Sequence, residues 1–261
     1  MPPQISISTA TLYGFLLVLT RVSFTFVFAP MPQLKQSSTT LRVVLSLAIT
    51  IALQATWPAT PVSTSRGAEE TWKLLARLAG EAGLGIAIGL VVSLLSDALT
   101  LSMQILGIQA GFGYASTIDP NSEADSGVLV VLAQLAAWLL FLTFGMERHL
   151  IRALAASLEA YPAGSYALPA EARAAVLTLG SAIFPAALRL ALPVVALLML
   201  VDIAFALFGR LHAQLQLISL AFPAKMLAAL AMLALLSPVF PRAYEAVAAK
   251  GVSALLRLGG N

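Results

Sequence analysis

Long apolar runs follow one another along most of this chain, and they constrain its fold more than any other feature. Most of them approach the roughly 20 residues that an α-helix needs to cross a lipid bilayer. None has the alternating pattern of a β-strand, and the polar connections are short. The sequence therefore predicts an all-α, membrane-type protein in a single domain over residues 1–261, with about six hydrophobic segments at 11–29, 41–57, 82–110, 128–145, 176–208 and 224–241.

Charged side chains are scarce, since they make up 10% of the residues against 59% for hydrophobic ones. A soluble domain carries roughly 25% charged residues, so this chain lacks the polar surface that would keep it in solution alone. We therefore expect contact with the lipid bilayer, or burial in a membrane-associated assembly. The net charge of +3 is attributed to basic loops on one side of the membrane, and no nucleic-acid partner is predicted.

The residues that carry most enzyme chemistry are absent or few. The chain has no cysteine and two histidines, which excludes thiolate metal sites and leaves little material for a metal cluster. It contains no zinc-protease helix motif, no nucleophile elbow and no phosphate-binding loop that ends in Lys-Ser or Lys-Thr. No enzyme activity, catalytic residue, metal or cofactor is therefore predicted.

Two segments are longer than a single span and contain residues that disturb helices. A helix over 72–110 has roughly twice the length of a span, so we expect a hairpin bend within it. Gly85 and Gly89 are four residues apart, a spacing that lets two helices approach closely. In the other long segment, Pro185 and Pro193 each remove a backbone hydrogen bond and favour a kink.

A glycine-rich break at 105–122 contains aromatic side chains and a turn signal. Backbone that leaves a helix at membrane depth persists only where protein buries it or where it lines an aqueous path. The stretch is interpreted either as a loop held inside a pore or as a connector between two spans. Its glycines permit sharp turns, its aromatic residues supply bulk, and its Asp-Pro pair favours a turn; these residues are Gly107, Gly111, Gly113, Phe112, Tyr114, Asp119 and Pro120.

Five ionisable side chains lie in or beside the apolar segments, namely Arg21, Glu81, Asp97, Arg189 and Asp202. A charge at the centre of a membrane helix costs about 2.5–3.5 kcal/mol on insertion scales, so each of these needs a partner or water. In a transporter they would form a proton relay or an ion site. In an assembly they would form ion pairs between subunits, while the arginines could instead extend to the membrane interface.

Several short motifs occur in order along nearly the whole chain: Arg21 with Phe28-Ala-Pro30, Gly107-Ile-Gln-Ala-Gly111 through Thr117-Ile-Asp-Pro120, Ser157 to Tyr161-Pro-Ala-Gly164, Ala191-Leu-Pro193, and Arg210 to Phe222-Pro-Ala-Lys225. In order and spacing they resemble the flagellar FliR family, the export-gate subunits of type III secretion. The injectisome counterpart of virulence systems is a close alternative, and the Ile118-Asp119-Pro120 sequence favours the flagellar branch.

The resemblance implies that one copy of the chain joins several copies of FliP and FliQ in the entry portal for unfolded flagellar subunits. This portal would lie in the bacterial inner membrane at the flagellar basal body, with FlhB and FlhA as further partners. The resemblance also implies that residues 107–122 plug the closed pore, through Gly107, Gln109, Gly111, Phe112, Gly113, Tyr114, Ile118, Asp119 and Pro120.

Two further charges, Arg210 and Lys225, bracket the turn between the fifth and sixth segments. We expect both to serve assembly together with the five charges of the apolar segments. An alternative from another class is a stand-alone secondary transporter with its site at the broken helix.

Overall fold

A computed structural model describes residues 9–29, 39–57, 68–112, 128–164, 170–211 and 217–258 of the chain. Within these ranges all regular structure is helical, which confirms the predicted all-α fold. A short 3₁₀ helix, Gln54–Thr56, follows the second α-helix. The α-helices are α1 (Thr9–Phe28), α2 (Thr39–Ala52), α3 (Ala68–Ala110), α4 (Val128–Thr143), α5 (Met146–Ala160), α6 (Ala170–Leu211), α7 (Leu217–Leu236) and α8 (Val239–Leu258).

Three helices are long and apolar enough to cross a membrane, over Thr11–Phe28, Thr71–Ala110 and Gly180–Arg210. The number rises to five if the bent pairs α4 with α5 and α7 with α8 each count as one span. The second predicted segment does not qualify. Its helix, α2, has 14 residues and is therefore about 21 Å long, short of the roughly 30 Å of a hydrocarbon core.

The predicted hairpin bend within residues 72–110 is wrong, because α3 runs without interruption from Ala68 to Ala110. A glycine inside a helix costs only about 1 kcal/mol relative to alanine. The packing of an apolar helix offsets that cost. The glycines of this segment therefore do not end the helix, and two of them serve a helix contact described below.

The other long helix, α6, also continues through the two prolines that were expected to disturb it. Pro185 and Pro193 both lie inside the helix, which extends from Ala170 to Leu211. Proline is tolerated in membrane helices because neighbouring groups satisfy the freed carbonyls.

The chain divides into two compact units. The first comprises residues 1–94, 145–180 and 249–261, and the second comprises residues 95–144 and 181–248. The organisation of residues 1–261 as a single domain stays a prediction.

Each unit has its own apolar interior. In the first, fully buried aliphatic side chains come from α1, α3 and α5, among them Leu17, Ile88 and Leu154. In the second, four helices contribute to one cluster, which consists of Leu106 and Ala110 of α3, Leu129 of α4, Ala191, Val194 and Leu198 of α6, and Ala229 of α7. The second cluster lies at the end of α3, where the glycine-rich break begins.

Candidate functional site

The first polar cluster begins at a close contact between α1 and α3. A side chain on Gly85 would overlap the backbone carbonyl of Arg21, and one on Gly89 would lie 2.6 Å from the carbonyl oxygen of Thr25. The helices can approach this closely because both positions lack a Cβ. The contact confirms the role predicted for the Gly85–Gly89 pair.

This contact places Arg21 beside Glu81, one helical turn before Gly85. The Nε of Arg21 donates to Oε2 of Glu81 at 2.6 Å, and the two side chains are 0% and 2% exposed. Side chains in a helix point back toward its amino terminus, so an arginine opposite Gly85 reaches an acid one turn earlier on the neighbouring helix.

The remaining donors of Arg21 bind the carboxyl end of α5. Its Nη1 donates to the carbonyl of Ser157 at 2.8 Å and to the hydroxyl of Ser157 at 3.2 Å, and its Nη2 donates to the carbonyl of Tyr161 at 2.9 Å. The carbonyl of Ser157 also accepts the N–H of Tyr161 at 3.0 Å, so the arginine is a second donor to this oxygen. Carbonyls at the carboxyl end of a helix favour a nearby positive charge. The arginine therefore complements the end of α5.

Glu81 binds the backbone of the segment that follows α5. Its Oε1 accepts a hydrogen bond from the backbone N–H of Gly164 at 2.7 Å. Both carboxylate oxygens of Glu81 are thus used, and Arg21 has a partner at each of its three nitrogens. A buried ion pair with this many hydrogen bonds offsets its desolvation cost. We call Arg21, Glu81, Ser157, Tyr161 and Gly164 the arginine clamp.

The second polar cluster lies in the second unit and joins α3, α6 and α7. Lys225 of α7 donates to Asp202 of α6, with its Nζ 2.8 Å from Oδ1 and 3.0 Å from Oδ2. Gln109 of α3 donates from Nε2 to Oδ2 of the same carboxylate at 3.3 Å. The lysine side chain is 13% exposed and the aspartate side chain 45% exposed. We call Gln109, Asp202 and Lys225 the carboxylate cluster.

Two residues beyond Gln109, α3 ends in a Schellman motif. The N–H of Phe112 donates to the carbonyl of Gly107 at 3.0 Å, and the N–H of Gly111 donates to the carbonyl of Ile108 at 3.2 Å. Gly111 has φ +84°, the left-handed conformation that this helix end requires and that glycine adopts without strain. The break therefore starts from a defined, hydrogen-bonded helix end.

Aromatic side chains cover this helix end. A Cβ on Gly111 would lie 2.8 Å from Cδ1 of Phe222 on α7, so the phenylalanine ring rests directly on the glycine. Phe112 packs against the apolar cluster of the second unit. A Cβ on Gly107, by contrast, would meet nothing within 4 Å.

The predicted site residues divide according to where they lie. Arg21 and Glu81 are brought together, and Gln109, Asp202 and Lys225 are brought together. Asp97, Arg189 and Arg210 are exposed on this chain. Gly113, Tyr114, Ile118, Asp119 and Pro120 lie outside the described residues.

The sequence did not predict which residues bind Arg21, and it assigned no role to Phe222. Ser157, Tyr161 and Gly164 lie in one of the ordered motifs, and Phe222 lies in another. Their presence in these motifs was the only indication of a role, because the arginine clamp and the carboxylate cluster each bring together residues from separate motifs. Among the described residues, no group of three or more histidine or acidic side chains could hold a metal ion.

The order of the motifs agrees with the match of the whole chain to a protein family. The family model described as bacterial export proteins, family 1, matches residues 12–250. The chain belongs to this family. The match covers most of α1, all of α2 to α7 and more than half of α8, and so includes both the arginine clamp and the carboxylate cluster.

Several members of this export family with the name flagellar biosynthetic protein FliR are similar to the chain. The FliR of Escherichia coli K12 is 31% identical over 210 residues, which are 80% of this chain and 78% of that protein. The FliR of Pectobacterium carotovorum is 28% identical over 203 residues, 77% and 75% of the two chains. The FliR of Bacillus subtilis 168 is 27% identical over 224 residues, 84% of each chain. The chain is therefore a component of flagellar protein export, and its apolar helices are those of a membrane-embedded protein.

Proposed function

We propose that this chain is the single-copy FliR subunit of the flagellar export gate, and that residues 107–122 plug its closed pore. In this account the subunit forms the entry portal together with FliP and FliQ, next to FlhB and FlhA. The portal lies in the inner membrane at the flagellar basal body and passes unfolded flagellar subunits. The observation that carries the proposal is the capped end of α3 at Gly111, which is covered by Phe222 and lies next to the carboxylate cluster.

A plug must be held at its base, and the described start of this segment meets that requirement. The Schellman motif fixes the direction in which the chain leaves α3. Phe112, the residue after Gly111, packs against an apolar cluster built from four helices. A plain connector between two spans would not need this combination of a capped end, an aromatic cover and a nearby ion pair.

Assembly with partner subunits is supported by the lengths of α3 and α6. They contain 43 and 42 residues, so each is about 63–65 Å long, roughly twice the 30 Å of a hydrocarbon core. Only 17% of an 18-residue apolar window within the span Gly180–Arg210 is buried within the chain. Lipid cannot cover the whole length of such helices, so subunits such as FliP and FliQ would cover the remainder.

The plug is tested by deleting residues 110–116 in the assembled gate and measuring passive ion flux across the inner membrane. The deletion removes Gly111 and Phe112, so the proposal predicts a clear increase in flux. The matched control is Gly180→Ala, which adds a methyl group outside the segment at a position where it meets nothing within 4 Å, and it should leave the flux unchanged. An assembled gate with the deletion and unchanged flux would contradict the plug.

A further inference from the structure

One carboxylate in the second unit connects the capped end of α3 to α7. Asp202 accepts hydrogen bonds from Gln109, which lies two residues before Gly111, and from Lys225 of α7. The lysine contacts both carboxylate oxygens, at 2.8 and 3.0 Å. The position of α7 is thereby tied to the position of the helix end where the proposed plug begins.

The same face of α7 carries the aromatic cover of that helix end. Phe222 and Lys225 are three residues apart, so their side chains lie on one side of the helix. The ring of Phe222 rests on Gly111 while the ammonium group of Lys225 binds Asp202. Any rotation or shift of α7 that lifts the ring from Gly111 must also strain or separate the ion pair.

Separation of the pair is unfavourable mainly for the lysine, because Asp202 is 45% exposed whereas Lys225 is only 13% exposed. Lys225 also lies in a helix whose other 19 residues have no ionisable side chain. An ammonium group that leaves its carboxylate there loses its counterion without gaining full hydration. The ion pair therefore favours the arrangement in which Phe222 covers Gly111.

We propose that Asp202 and Lys225 form a latch that holds the base of the plug segment closed, with Gln109 as the connection to α3. The proposal rests on the function proposed above for residues 107–122. Asp202 and Lys225 act as positioning residues, because their effect on the pore passes through Phe222 and the end of α3. Opening of the gate then requires the ion pair to be strained or separated.

The test is passive ion flux through gates assembled with their partner subunits, measured for Asp202→Asn. This change keeps the size of the side chain and removes its charge, so the closed arrangement is weakened. We expect flux to rise about tenfold, within the range that a typical coupling between two sites produces. The matched control is Glu245→Gln, which neutralises an exposed carboxylate on α8 in the same unit, and it should leave the flux unchanged.

Charge reversal separates pairing from general structural damage. Asp202→Lys combined with Lys225→Glu restores an ion pair of opposite polarity, and we expect its flux to fall back toward the wild-type level. A reversed pair that leaks as much as Asp202→Asn would show that charge pairing does not hold the segment, and it would overturn the latch.

A second variant keeps the test decisive if Asp202→Asn fails to assemble. Gln109→Leu removes the hydrogen bond from α3 but leaves both charges paired, so assembly is retained and the flux should rise by less than in Asp202→Asn. Wild-type flux in Gln109→Leu and in any assembled Asp202→Asn gate, together with a leak from the 110–116 deletion, would overturn the latch but leave the plug standing. Wild-type flux in the deletion as well would overturn both.

Discussion

At the scale of single residues, Arg21 shows how a charge is held inside an apolar chain. Its guanidinium is fully buried, and its three nitrogens bind a carboxylate, a hydroxyl and two carbonyls. A lysine would bring one point charge with three donors on a flexible stem, whereas arginine offers a planar fork of five. The arginine clamp therefore depends on the shape of the guanidinium as well as on its charge.

We predict that Arg21→Ala lowers the stability of the chain by about 3–5 kcal/mol, because it leaves Glu81 buried without its counterion. Arg21→Lys should lose part of that stability, since one ammonium group cannot replace contacts to Glu81, Ser157 and Tyr161. The measurement is the melting temperature of the complex purified in detergent. Arg152→Lys is the control, because Arg152 is exposed on α5 and is not one of the charges expected to serve assembly. A melting temperature for Arg21→Lys equal to that of the wild type would rule out the fork as the reason for arginine here.

We also predict opposite effects at two glycines of the break. Gly111→Ala places a methyl group at φ +84° and against the ring of Phe222, so it should destabilise the helix end by about 1–2 kcal/mol or more. Gly107→Ala adds a methyl group in open space inside α3 and should stabilise the helix by about 0.5–1 kcal/mol. Ion flux and melting temperature of the assembled gate report both. Equal behaviour of the two variants would mean that the Schellman end is not maintained in the gate.

The sequence was sufficient to select all three residues of the carboxylate cluster but only Arg21 and Glu81 of the arginine clamp, and it did not reveal how they pair. Arg21 and Glu81 are 60 residues apart, and Asp202 and Lys225 are 23 apart. The cost of burying each charge can be estimated from its position in an apolar segment. Which charges pair depends instead on which helices contact one another, and the sequence does not give those contacts. For the same reason Ser157 and Tyr161, which contribute carbonyls, could not be found from side-chain chemistry.

At the scale of helices, one of two predictions for the segment 72–110 was wrong. Its length predicted a bend, and Gly85 with Gly89 predicted a close contact; the structure shows an unbroken helix with the contact. The six apolar segments were recognised by composition, yet α2 is too short to span the membrane alone. The length of a helix, and whether it bends or stays straight, depend on the helices packed against it. The hydrophobic pattern of the sequence does not identify those neighbours.

The contact between α1 and α3 leads to a prediction with a control in another helix. Gly85→Ala would overlap the carbonyl of Arg21, so the two helices must separate and the arginine clamp must loosen. Overpacking of this kind costs about 1–3 kcal/mol. Gly180→Ala, in α6, meets nothing within 4 Å and should raise stability slightly. Thermal unfolding of the purified complex measures both, and an unchanged melting temperature for Gly85→Ala would contradict the close contact.

At the scale of the whole molecule, the described residues leave a large apolar surface that the chain itself does not cover. Large apolar side chains on α6 are exposed over much of its length, including Phe184, Met199, Ile203 and Phe208. A helix of about 63 Å extends well beyond the hydrocarbon core. We therefore expect protein neighbours as well as lipid to cover this surface.

The most direct test of the central claim is the mass and composition of the complex that this chain forms. The chain, carrying an affinity tag, is co-expressed with FliP and FliQ of the same organism and extracted in mild detergent. Native mass spectrometry then gives the number of each subunit. The account predicts one copy of this chain with several copies each of FliP and FliQ. Recovery of the chain as a self-sufficient monomer or dimer, without FliP or FliQ, would contradict it.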